Sequence, residues 1–455
     1  MAGSAPATEG PIAPRALLAL LALTAVVGLV VSLASWGFLE LIAQIQTAVF
    51  DDLPDALGYD GGAPVWWPLP VLAVAGLLTA LAIARLPGTG GHDPAGGLNA
   101  GTTDPIELPG VIAAALATIG LGIVLGPEAP LLALGSGLGI LAIRLVRKDA
   151  PQQLTALVGA AGSFAAVSFI FGSPLIGAVI LIEAAGLDRR GLQVVLPIGL
   201  LASGIGALVS TGIGSWDGLS SSDFALKPLD VPAFARPDVS DFLWTIPLAL
   251  AIALVVFAIF AAAQRLQPLV MSHPFLLIPA SGLVVAGLGI VFAEATGEDV
   301  SYVLFSGQDS IDPLVQAADT WSVSALALLI VFKGLAWSVS LAGFRGGPTF
   351  PGLLLGVAAG LLATHLPGLA MTPAVAVGMG AAVAAVLRLP LAAVVLATLL
   401  TAHTGAGVAP LIIVGVVVAY LATTALHRRG EAQDGEAPRA DGRTRLTSSA
   451  TTVTR

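Results

Sequence analysis

Long apolar stretches dominate the chain from near Arg15 to His427. They fall at about 16–48, 65–85, 108–125, 128–147, 155–172, 174–187 and 192–212 in the first half. The second half has 242–264, 276–294, 322–342, 352–366, 372–387, 390–402 and 409–426. Each reads as a helix, and many are shorter than the roughly 20 residues that span a bilayer core. Several are cut by Gly and Pro, at Gly126-Pro127, Gly172-Ser173-Pro174, Gly346-Gly347-Pro348 and Leu389-Pro390. Broken helices survive in lipid only where protein or water satisfies the freed backbone groups. The pattern therefore predicts an all-α integral membrane protein with short, tilted and re-entrant helices.

The breaks recur in order. Gly126-Pro-Glu-Ala-Pro-Leu-Leu-Ala-Leu-Gly135 aligns without a gap on Gly347-Pro-Thr-Phe-Pro-Gly-Leu-Leu-Leu-Gly356, with six of ten positions identical. Downstream, Ser173-Pro174-Leu175 sets against Leu389-Pro390-Leu391. Interrupted segments at matching places in two halves point to a transport site built at the repeat interface. Two repeats, at about 65–212 and 276–426, are expected inside one membrane domain of residues 15–427.

Charge placement orients the chain. Arg144, Arg147 and Lys148 precede 155–187, and Arg189 and Arg190 follow it. Positive loops face the cytoplasm, so 155–187 should enter and return on one side, turning at Gly172-Ser173-Pro174. Arg15 before the first span, an acidic loop with Asp51, Asp52, Asp55 and Asp60 after it, and Arg428 and Arg429 at the end of the last span predict cytoplasmic termini. The first apolar run exceeds a signal-peptide core of roughly 7–15 residues. Residues 1–14 and the polar tail 428–455 are expected to be disordered.

Composition agrees and excludes some chemistry. Of 455 residues, 56% are hydrophobic and 10% charged, against about 25% charged in a soluble domain. No cysteine is present, and the five histidines form no close pair. Disulfides, thiolate metal sites and a zinc site are not expected, nor a cofactor or a nucleic-acid partner. The net charge of −9 does not oppose anion handling, because local dipoles and donors govern a buried site.

Gly126-Pro127-Glu128-Ala129-Pro130 is the central motif. Pro in the first turn presets a helix start, and the N–H groups of a helix N-terminus attract anions. A carboxylate there occupies the site itself when ionised and leaves it when protonated. Glu128 thus reads as a gate rather than only a first-turn stabiliser, since intramembrane carboxylates are costly and functional. Gly346-Gly347-Pro348-Thr349-Phe350-Pro351 would supply a second helix N-terminus facing the first.

These motifs resemble the CLC family of chloride channels and proton-coupled chloride antiporters over most of residues 15–426. Gly126–Pro130 is similar to the family's Gly-Arg/Lys-Glu-Gly-Pro, with Glu128 at the gating glutamate. Gly347–Pro351 is similar to its Gly-x-Phe-x-Pro, and Gly172-Ser173-Pro174-Leu175-Ile176-Gly177 through Glu183 to its Asn-Ala-Pro-Leu-Ala-Gly stretch ending in an acidic pair. The resemblance implies a CLC-like fold of two inverted repeats and a homodimer with one pore per subunit in the cell membrane. It also implies an anion site at Gly126, Pro127, Ala129, Gly347, Pro348, Thr349 and Phe350.

The departures matter as much. The family's Gly-Ser-Gly-Ile-Pro loop falls near Gly88-Thr-Gly-Gly-His-Asp-Pro94; one register puts Gly91 at the serine, the other Thr89, and Thr89 keeps a hydroxyl. Counting back from Pro410 puts Gly405 at the family's inner tyrosine, with Thr401, His403 and Thr404 the nearest polar groups. Pro348 lacks an N–H. The inner proton acceptor of the antiporters aligns with Ala184, leaving Glu183 as the nearest acid for a proton path. The resulting expectation is a glutamate-gated, voltage-dependent chloride channel. The alternatives are a proton-coupled chloride or fluoride antiporter on the same fold, and a membrane-embedded enzyme using Glu128 or His403.

Overall fold

A computed structural model describes residues 14–59, 61–98, 101–185, 189–213 and 224–436. Asp60 and all but the last residue of the N-terminal segment 1–14 lie outside them. The described residues are helical, with one isolated β-bridge. The first half contains α1 (Pro14–Thr47), continued by a π-turn into α2 (Leu53–Ala56), then α3 (Pro68–Arg85) and α4 (Leu108–Ile119). It goes on through α5 (Glu128–Val146), α6 (Gln152–Ile170), α7 (Pro174–Ala185) and α8 (Arg189–Gly212). The second half contains α9 (Val239–Ser272), α10 (Pro274–Thr296), α11 (Gln308–Gln316) and α12 (Val323–Gly343). It closes with α13 (Thr349–Ala363), α14 (Met371–Leu387), α15 (Pro390–Leu400) and α16 (Ala409–Glu436). Among the described residues nine helices are long and apolar enough to cross a membrane. The chain is a multi-pass membrane protein.

The two halves pack alike. In the first, α5 lies on α6, α6 on α8, and α1 on both α6 and α8. In the second, α13 lies on α14, α14 on α16, and α9 on both α14 and α16. The halves meet through α3 against α10 and α7 against α15, each helix facing its own counterpart. Close backbone contact repeats too. A side-chain carbon on Gly135 would strike the Gly162 carbonyl of α6, and one on Gly356 the Gly378 carbonyl of α14. Gly135 and Gly356 are the closing positions of the internal sequence match. Small residues let membrane helices approach where no hydrophobic drive separates them from lipid.

Several expectations need adjusting. The packing gives each half one more helix than the bounds 65–212 and 276–426 allowed, namely α1 and α9. Both are long and unbroken, so they carry no Gly-Pro landmark to align. Helix α9 continues through Pro247 and Pro268 for 34 residues, about 51 Å at 1.5 Å per residue, well beyond the expected 242–264. It starts from a capping box in which Asp238 and Asp241 each accept from the other's backbone N–H. Amphipathic α11 was not expected, being short and polar on one face. Helix α16 extends past Arg428 to Glu436, because Arg, Glu, Ala and Gln are good helix formers and prolong the span into water. The remainder of the tail lies outside the described residues. The α6–α7 turn falls where expected, with Gly172 at φ +61°.

Candidate functional site

Helices α5 and α13 begin face to face. Gly126 N donates to Gly347 O at 2.7 Å and Gly347 N to Gly126 O at 2.6 Å, forming the isolated antiparallel bridge. Pro127 and Pro348 each cap their helix without a side-chain bond. Their missing N–H groups would be orphans in a first turn anyway. The result is two helix N-termini directed at one small volume.

The Glu128 side chain fills part of that volume. It is 1% exposed, and its Oε1 accepts from Thr349 N, the first residue of α13, at 2.5 Å. Its Oε2 and the Thr349 Oγ1 are buried without a hydrogen-bond partner among the described residues. Phe350, next in α13, is fully buried and stacks on Phe171 with ring centroids 5.7 Å apart. A carboxylate held by a helix N-terminus occupies the place an anion would take.

A small cavity adjoins this junction. Gly90, Gly91, His92 and Asp93 line one wall, Ala129 and Pro130 of α5 another, and Arg345 and Gly346 a third. The wall loop is unusual in running through four consecutive residues at positive φ: Gly88 (79°), Thr89 (48°), Gly90 (76°) and Gly91 (98°). Arg345 is 7% exposed. Its Nε donates to Thr89 O at 3.2 Å and its Nη1 to Phe344 O at 3.1 Å.

The structure therefore gathers Gly126, Pro127, Glu128, Ala129, Gly347, Pro348, Thr349 and Phe350 around one junction. Of the two loop registers, Gly91 lines the cavity. Thr89 instead gives its carbonyl to Arg345, and its side chain is exposed. The hydroxyl expected at Thr89 is thus not brought to the cavity, because the left-handed loop turns that residue outward.

Glu183 is committed elsewhere. Its two oxygens accept from Leu391 N (2.9 Å) and Ala392 N (2.8 Å), capping the start of α15. His403, Thr404 and Gly405 do not line the cavity. His403 is exposed, while Thr404 O accepts from Phe234 N at 2.8 Å and its Oγ1 bonds Thr401 O.

Sequence reasoning missed two buried cations, Arg345 and Lys333. Fully buried Lys333 of α12 donates from Nζ to Leu304 O (2.8 Å) and Phe305 O (3.0 Å). It thereby holds a turn in which Phe305 has φ +57°. The available signal was an ionisable residue inside an apolar run. Among the described residues no group of three or more His, Cys, Asp or Glu could hold a metal.

Comparison with known proteins gives concordant results. The family model described as "Voltage gated chloride channel" matches residues 95–424. The protein named "Putative ion-transport protein YfeO" from Shigella sonnei (strain Ss046) is 31% identical over 364 residues, covering 78% of this chain and 82% of its own. A similarly named protein of Escherichia coli O1:K1 / APEC has the same identity and coverage. Among solved structures, a slow cyanobacterial Cl-/H+ antiporter aligns with TM-score 0.72 at 19% identity, covering 94% of this chain and 100% of that one. A CLC-type fluoride/proton antiporter aligns with TM-score 0.63 at 15% identity, covering 90% and 96% respectively.

Proposed function

This chain belongs to the voltage gated chloride channel family, the CLC family of anion transport, and we propose that within it the chain conducts chloride passively under control of Glu128. The observation that carries this reading is the Glu128 carboxylate seated on Thr349 N. Ionised, it competes with a permeant anion for the α13 N-terminus. Protonated, it accepts less strongly and yields the site. Absence of proton coupling rests on two residues. Ala184 has no titratable group, and the neighbouring carboxylate of Glu183 is engaged by the α15 backbone.

Proton-coupled exchange of chloride or fluoride is the second reading. It is favoured by solved structures of similar fold that are described as such antiporters. We further propose a homodimer in the cell membrane with both termini in the cytoplasm, from the resemblance and from the placement of Arg15, Arg428 and Arg429.

Reconstitution into liposomes tests these readings. Chloride and fluoride efflux is recorded together with proton movement. Chloride flux without linked protons supports the channel. A chloride gradient that drives protons uphill in fixed ratio replaces it with exchange.

A further inference from the structure

Arg345 has no role among the motifs that define the site. It directly precedes Gly346-Gly347-Pro348 and forms a wall of the cavity beside Ala129 and Pro130. It is more than nine-tenths buried, yet no carboxylate among the described residues pairs with it. Among the described residues the one ion pair is Arg144–Asp104. Two of its three nitrogens are anchored on carbonyls, Nε on Thr89 O and Nη1 on Phe344 O. Nη2 bonds none of the described residues. The backbone N–H of Arg345 rests on Thr118 Oγ1 at 3.4 Å. The side chain is thus fixed at its base, and among the described residues its Nη2 is left without a partner beside the cavity. Asp93, the acid in the same wall, acts on it only at longer range, and its Oδ1 is occupied by Ala95 N.

A buried guanidinium needs a counter-charge. A permanent acidic partner would neutralise it and abolish any attraction for a mobile anion. Carbonyl oxygens hold the group in place without cancelling its charge. The cavity also lacks the Thr89 hydroxyl, and Pro348 removes a backbone donor, so an anion there is short of neutral donors.

We propose that Arg345 is a direct ligand of the transported anion, supplying the fixed positive charge of a subsite in the cavity walled by Gly90, Gly91 and His92. The ligand is a small monovalent anion, with chloride as the probe. This rests on the reading of the chain as an anion conductor. The carbonyl anchors set the guanidinium's position, and the anion completes its charge balance on each passage. Arg holds its charge at any physiological pH and binds through directed N–H donors, so this subsite stays charged whether Glu128 is ionised or not.

The test is chloride binding to the purified full-length protein by calorimetry, with efflux from liposomes in parallel. Arg345→Gln should weaken chloride binding about tenfold or more, the loss expected of one charge-assisted contact. Arg345→Lys should fall between Arg345→Gln and wild type, because the charge is kept while the fork anchored on Thr89 O and Phe344 O is lost. Asp93→Asn retains the oxygen that accepts from Ala95 N and removes the one nearby negative charge. It should tighten chloride binding about twofold or more. A folded Arg345→Gln with wild-type chloride affinity overturns the proposal. Should Arg345→Gln not fold, Asp93→Asn decides: tighter binding supports the subsite, and unchanged binding makes Arg345 a structural clamp. Intact wild-type efflux alongside those negative results rejects this inference alone. Wild-type protein that passes no anion under any condition rejects the conduction reading beneath it as well.

Discussion

Gly347 stands where any side-chain carbon would run into the Glu128 carboxyl group. The second repeat has thus left open the space that the first repeat's glutamate fills. Gly347→Ala should evict the carboxylate from Thr349 N while the Gly126–Gly347 backbone bridge persists. Chloride efflux at neutral pH should rise several-fold, and its pH dependence should flatten. Combined with Glu128→Gln the effects should not add, as expected of two changes acting on one contact. A double mutant with fully additive gains would show that Gly347 acts elsewhere.

Glu128→Gln is the sharpest test of the gate. The amide oxygen can still accept from Thr349 N, so shape is retained while charge and titration are lost. In wild type, acidification should increase anion flux as the gate is neutralised. In the mutant, flux should be high and nearly flat with pH. A glutamate that merely stabilises its helix would cost about 0.3–1 kcal/mol on substitution and leave the pH response intact. Efflux across a pH series at matched protein incorporation separates the two.

Glu183→Ala should act on stability rather than on protons. It removes both contacts to the start of α15, a loss of about 0.5–2 kcal/mol for a helix cap. Thermal unfolding in detergent should move down, while chloride-driven proton uptake stays near background. Proton pumping that is present in wild type and vanishes in this mutant would restore Glu183 to a proton path.

Asp104 provides a control for the pH experiments. A hydrogen bond from the Arg144 guanidinium, at 2.8 Å, holds the Asp104 carboxyl below the usual aspartate range. A depressed pKa contributes stability above its unfolded value and loses it as pH falls through the folded value. That window lies below about pH 4. Both partners are nearly half exposed, so solvent screens the pair and its contribution to stability is small. Asp104→Asn should therefore leave the flux profile unchanged at milder acidity. A shifted profile would assign part of the gating response to this pair.

Removal of residues after Glu436 should preserve flux, because the segment is polar, lacks aromatic residues and cannot form a core. Normal expression with lost efflux would give the tail a part in conduction.

Local chemistry made much of this molecule legible. Apolar runs marked most of the helices, and Gly-Pro breaks marked the starts of α5 and α13 almost to the residue, because proline and glycine act on the backbone where they stand. The same breaks, repeated in order, carried the duplication. The unbroken α1 and α9 joined the repeats only through their packing.

By itself the sequence determined the membrane class, the two aligned helix starts and the presence of Glu128 at one of them. These depend on composition and on residues a few positions apart. Only the tertiary structure decided that Glu128 meets Thr349, 221 residues away in the chain. It also decided that Gly91 rather than the Thr89 hydroxyl faces the cavity, that Glu183 caps α15, and that Arg345 lines the same cavity. Those outcomes turn on how helices pack and which way a left-handed loop aims its side chains. Sequence spacing fixes neither, since both follow from contacts between segments distant along the chain.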